Sequence, residues 1–89
     1  MEMTMTTKKP LFIRAEWDEE ARVWVATSED VPGLATEAET VEDLIEKLRG
    51  LIPELLEANG ISLDQEVPFE VLSRRFESAL PQHTKAFNG

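Results

Sequence analysis

The sequence contains no cysteine, one histidine and four glycines. Without cysteine there is no disulfide framework and no thiolate metal site. The single histidine, His83, has no second histidine or cysteine with which to share a metal, so it reads as a surface residue. No apolar run is long enough to cross a bilayer, and the first nine residues lack the apolar stretch of a signal peptide. A soluble, cytoplasmic protein with no membrane contact is therefore expected. A Walker loop, a dinucleotide fingerprint and a nucleophile elbow are missing as well. Basic residues are scarce, nine against eighteen acidic ones, and the formal net charge is −9. That balance argues against nucleic acid as a direct ligand, because phosphate is neutralised by Lys and Arg.

The negative charge is concentrated. Residues 16–43 hold ten acidic side chains and one basic one, Arg22, so this third of the chain carries the whole excess and the remainder cancels. Such a field steers the approach of a basic protein partner. It also serves solubility, which is the plainer reading of the same charge.

The clearest pattern is TVEDLIEKLRGLIPELLEANG, residues 40–60. Val41, Leu44, Ile45, Leu48, Leu51, Ile52, Leu55 and Leu56 recur at three- and four-residue steps, which predicts one amphipathic helix over 40–59. Thr40 is placed as its N-cap, with Glu39, Glu42 and Asp43 complementing the positive end of the dipole. Asn59-Gly60 supplies a left-handed stop, and Ile61 is placed to fold back on the last turn. Pro53 removes one helical hydrogen bond, but the apolar stripe keeps its phase through it. A bend at Pro53 is therefore expected rather than two helices.

Residues 11–17 alternate as a strand with Leu11, Ile13, Ala15 and Trp17 on one side. A polar turn follows, and residues 23–27 return. A five-residue turn puts Val23 and Val25 on the face of Ile13, whereas a four-residue turn puts Trp24 there. The first collects the aliphatics against the helix and is the expected register, leaving Phe12 and Trp24 on the far face. Pro32-Gly33 reads as a type II turn, residues 34–38 as a short third strand, and residues 67–76 as a fourth with Val67, Phe69 and Val71 inward. The fold class is α+β: a single β-β-β-α-β sheet in the order 3-2-1-4, the helix on one face and the fourth strand parallel to the first. The expected core is Ile13, Ala15, Val23, Val25, Leu44, Ile45, Leu48, Leu51, Ile52, Leu55, Phe69 and Val71. One domain over residues 10–77 is expected, flanked by flexible tails, 1–9 and 78–89. One helix cannot cover both faces of such a sheet. A homodimer or higher homo-oligomer is expected to bury Phe12, Trp24 and Leu72.

The run FIRAEWDEEARVWVATSEDVPGLATEAETVEDL resembles the N-terminal domain of HicB-type antitoxins, and looks closest to a short branch of that superfamily. The likeness rests on a strand, the acidic turn Asp18-Glu19-Glu20, and a strand with Val23, Trp24, Val25 and Ala26. It continues through Asp30-Val31-Pro32-Gly33-Leu34 and Thr40-Val41-Glu42-Asp43-Leu44, and covers residues 11–60. The resemblance implies a partial RNase H-like fold that binds a small RNA-cleaving toxin. Family members usually continue into a DNA-binding domain. No such segment is read after the fourth strand here, so operator binding is not expected.

Two functions follow. The first is a non-enzymatic, cofactor-free module whose acidic region meets a small basic, toxin-like partner, with Asp18, Glu19, Glu20, Trp24, Glu29 and Asp30 as the contact residues. The alternative is a vestigial or active metal-dependent nuclease on the same fold, with Asp18, Asp30, Glu37 and Asp64 as its carboxylates. Nothing in their spacing forces those four to converge. Ser73-Arg74-Arg75 carries the basic pair of the second half and reads as a solvated strand end.

Overall fold

The computed structural model describes residues 9–81. Four strands, β1 (Leu11–Asp18), β2 (Val23–Thr27), β3 (Ala35–Ala38) and β4 (Phe69–Arg74), form one sheet, with helix α1 (Val41–Ala58) inserted before the last of them. The spatial order is β3-β2-β1-β4. β1 and β2 are antiparallel, as are β2 and β3, while β4 returns parallel to β1 through the helical crossover. Topology and element order agree with the sequence reading. His83 lies outside the described residues, as do most of both expected tails.

The helix begins and ends where its cap chemistry dictates. Thr40 Oγ1 accepts from the Asp43 amide at 3.0 Å, the N-cap bond anticipated from the sequence. At the other end Gly60 has φ +85°, its amide reaches Glu57 O, and the Ile61 amide reaches Leu56 O, each at 3.0 Å. Those two bonds constitute a Schellman stop. The helix runs unbroken through Pro53. Leu44, Leu48, Ile52 and Leu56, four residues apart in turn, are its buried ridge.

Below that ridge the floor differs from expectation. The β1–β2 turn has four residues, not five: Arg22 N donates to Asp18 O at 2.7 Å, and Arg22 closes the turn with φ +61°. The Asp18 carboxylate favours this compact form by accepting the amides of Glu20 and Ala21 at 3.0 and 3.2 Å. The register is then Trp17↔Trp24, Ala15↔Ala26. Ala26 and Trp24 face the helix, and Val23 and Val25 lie on the outer face, half-buried. Phe12 stays on the outer face as expected, but Trp24 does not join it. A row of small residues, Thr36, Ala26, Ala15 and Ser73, crosses all four strands on the helix side. It leaves room for a close approach by the helix that bulkier Val side chains would oppose.

Val31 and Leu34 complete the core. They bracket the Val31–Leu34 turn, closed by Leu34 N to Val31 O at 3.1 Å, with Gly33 at φ +84° as a type II turn requires. Both are buried, as are Leu11, Ala38 and Leu56, none of which was in the expected core. Leu51, Leu55, Phe69 and Val71 pack against it only partly buried, and Ile45 is half-buried at the edge of the helix stripe.

Two glycine substitutions should shift stability in opposite directions. Gly50 is exposed within the helix, and a Cβ there meets nothing within 4 Å, so Gly50→Ala should stabilise by about 0.5–1 kcal/mol. A Cβ at Gly33 has ordinary room, 3.8 Å from Leu55 Cδ2. Its positive φ alone makes Gly33→Ala cost about 1–2 kcal/mol. Urea denaturation of both variants measures the difference; equal effects would contradict this assignment of turn and helix.

Candidate functional site

The pairings Trp17↔Trp24 and Trp24↔Ala38 place three segments at one end of the sheet: the β1–β2 turn, the end of β3 and the start of α1. A shallow depression lined by Val23, Glu37, Ala38, Glu39, Asp43 and Lys47 joins the first residue of β2 to the first turn of the helix. Asp18, Glu19 and Glu20 therefore share an end with Glu39, Glu42 and Asp43. Glu29 and Asp30 do not. They follow the opposite end of β2, where Asp30 Oδ2 accepts the Phe12 amide at 2.8 Å. Sequence reasoning grouped Glu29 and Asp30 with the turn because they are close in the chain. The helix N-terminal acids belong to the acidic region 16–43 but not to the named contact residues, and they become neighbours of the turn only once β2 and β3 pair.

The acids differ in how free they are. Asp18 caps its own turn, and Asp30 extends the ladder beyond β2 together with Ser28, whose hydroxyl donates to Phe12 O at 2.6 Å. Glu19 accepts from Trp17 Nε1 and from Arg22, both at 2.8 Å. Glu20, Glu39, Glu42 and Asp43 are exposed, and their carboxylates engage no other described side chain. Lys47 donates to the Glu37 carbonyl at 2.6 Å, which leaves the carboxylate of Glu37 to solvent.

An aromatic pair lies at the same end of the sheet. Trp17 and Trp24 meet edge-to-face, 5.4 Å between centroids at 62°. Arg22 lies 5.4 Å and Arg75 4.3 Å from the Trp17 ring centroid. Both indoles are half-buried, and Trp24 packs against the core. The site is thus two acidic segments brought to one end of the sheet beside a half-buried tryptophan pair, of which Trp17 lies under Arg22 and Arg75. This mixed aromatic and charged composition is suited to a protein contact.

The four candidate carboxylates of the nuclease alternative are dispersed. Asp18 and Asp30 lie at opposite ends of β2, each engaged with backbone amides, while Glu37 is on the outer face of β3 and Asp64 in the loop after α1. Among the described residues, no group of three or more His, Cys, Asp or Glu is placed to hold a metal ion. No described helix is long and apolar enough to cross a membrane.

Comparison with known proteins places this architecture. Residues 10–82 match the family described as "Domain of unknown function (DUF1902)", and the chain belongs to that family. A solved structure, that of the hypothetical protein TTHA1013 from the extremely thermophilic bacterium Thermus thermophilus, is similar in sequence and fold. It is 49% identical, with a TM-score of 0.62, and the match covers 81% of this chain and 99% of that one. No curated protein matches the chain.

Proposed function

We propose that this member of the DUF1902 family is a protein-binding module that receives a small basic protein on the acidic end of its sheet. The observation that carries this reading is the folding together of two separate acidic segments, the β1–β2 turn and the start of the helix, at the end of the sheet that holds Trp24. The likeness to the toxin-binding domain of HicB-type antitoxins supports the same reading, and makes an RNA-cleaving or RNA-binding protein the partner of choice. Its phosphate-contacting surface would be the complement of these carboxylates. No observation favours the nuclease alternative, whose residues lie apart.

The test is whether a small basic protein is encoded beside this one and co-purifies with the full chain, followed by titration of that protein against it. Absence of any such protein would count against the reading. Affinity should fall at least tenfold between 0.05 and 0.3 M salt, since exposed charges are screened within about 10 Å at 0.1 M. Combined Glu20→Gln, Glu39→Gln, Glu42→Gln and Asp43→Asn should weaken binding by about tenfold or more, as expected for several rim charges removed together. Combined Glu29→Gln and Asp30→Asn, at the far end, should leave it within about twofold; Asn is chosen because it keeps the acceptor for Phe12. Equal effects from the two sets would refute the assignment to one end.

A further inference from the structure

The sheet has two edges, β3 and β4, and β4 pairs with β1 alone. Among the described residues the exposed large hydrophobics are Leu72, Phe76 and Leu80, at 51%, 94% and 77% exposure, all on β4 or its continuation. They share a parity, so in extended chain they share the outer face, the face of Phe12. The backbone phase of this edge is set by a single bond. Leu11 N donates to Pro68 O at 3.0 Å. In a parallel ladder that directs the polar groups of residues 70 and 72 to β1, and those of Phe69, Val71 and Ser73 to the open edge.

We infer that β4 is a self-pairing edge, joining two copies of this chain antiparallel about a two-fold axis at Leu72. Only registers that oppose odd-numbered residues satisfy the free backbone groups, and the charges choose among them. Centred on Leu72, Glu70 stands opposite the partner's Arg74, Arg74 opposite the partner's Glu70, and Leu72 opposite the partner's Leu72. The nearly bare ring of Phe76 falls opposite the partner's Pro68. Centring on Glu70 or Arg74 would oppose like charges, and centring on Val71 or Ser73 would set Leu72 against Glu70 or Arg74 and lose both Glu–Arg pairs. The register at Leu72 sets Phe69 against the partner's Arg75 on the helix face but keeps both pairs. Residues 69–77 hold two acids and two bases, so the edge itself adds no net charge to the repulsion between two chains of net charge −9. The outcome is one continuous eight-stranded sheet with both helices on the same face. In this arrangement Leu72 takes the self-association role expected from the sequence, whereas Phe12, on β1 behind β4, and Trp24, on the helix face, take no part in it. This inference does not rest on the partner reading, although Arg75, at the end of this edge, also lies over Trp17.

Sedimentation velocity of the full chain at tens of micromolar should give a dimer. Glu70→Lys and Arg74→Glu should each weaken it at least tenfold by opposing like charges twice, and an equimolar mixture of the two variants should restore it, because both cross-pairs are then complementary. The chain has no native cysteine, so Leu72→Cys can be tested alone. Its sulfurs would meet across a pair with Cα atoms about 4.5 Å apart, within disulfide reach. Glu70→Cys would hold the two sulfurs about 13 Å apart. Mild oxidation should cross-link the first and not the second. A wild-type monomer, no rescue on mixing, or cross-linking at Glu70→Cys as fast as at Leu72→Cys would each overturn the proposal.

Discussion

Leu48→Ala is expected to remove about 3 kcal/mol of folding stability, near the middle of the usual range for a leucine deleted from a close-packed core. Leu48 is fully buried in the middle of the ridge formed with Leu44, Ile52 and Leu56, which covers the sheet. The effect is large relative to the whole, because a domain of this size holds on the order of 5 kcal/mol in total. The urea midpoint should fall by about 2–3 M if the slope is near 1 kcal/mol/M, as for small proteins. Leu51→Ala is the internal comparison. Leu51 is the same residue type on the same helix, but it lies at the margin of the stripe and is only partly buried. Its loss should cost about 1 kcal/mol, since less area leaves water and the gap opens to solvent. Equal costs at the two positions would mean that the helix is rotated about its axis from the orientation described.

The helix was legible because its information is local. Thr40, Asn59 and Gly60 state its ends through bonds made within one turn, and eight apolar residues state its inner face. Strand order was legible for a related reason, since a helix between two strands of one sheet permits few connections. Hairpin register was not. It depended on the length of one turn, and the deciding signal was the Asp18 side chain accepting two amides together with Arg22 in the left-handed region. Nothing in residue type announces a positive φ at an arginine. Collecting aliphatics toward the helix was a sound rule that lost to packing: alanines at 15 and 26 leave space for the helix that valines would fill. The candidate site suffered from the same gap between chain and space. Asp18, Glu19, Glu20 and Trp24 were placed together, but Glu29 and Asp30 were carried along by chain proximity and Glu39, Glu42 and Asp43 were left out. Strand pairing sets Glu29 and Asp30 at the far end of β2 and brings the other three to the end of the sheet that holds the turn. Asp30 was named for its charge, yet its observed contact is a backbone bond to Phe12.

The register itself can be tested at two adjacent residues. Ala26 is fully buried opposite Ala15, within the row of small side chains that faces α1. Ala26→Leu adds three carbon atoms at a fully buried position facing the helix, and should cost about 2–3 kcal/mol, the upper part of the range for overpacking a filled core. Val25 is its neighbour in the chain but points to the outer face, between Glu16 and Glu37 in the cross-strand row. Val25→Thr keeps the β-branched shape and places a hydroxyl where water can reach it, so stability should change by no more than about 0.5 kcal/mol. In the alternative five-residue turn the two results exchange places. Ala26 would then accept a larger side chain at the surface, and threonine at position 25 would bury an unsatisfied hydroxyl costing about 1–3 kcal/mol. Paired urea denaturation curves therefore decide the register without a further structure. A costly Val25→Thr beside a tolerated Ala26→Leu would overturn the four-residue turn and, with it, the position of Trp24 on the helix face between Trp17 and Ala38.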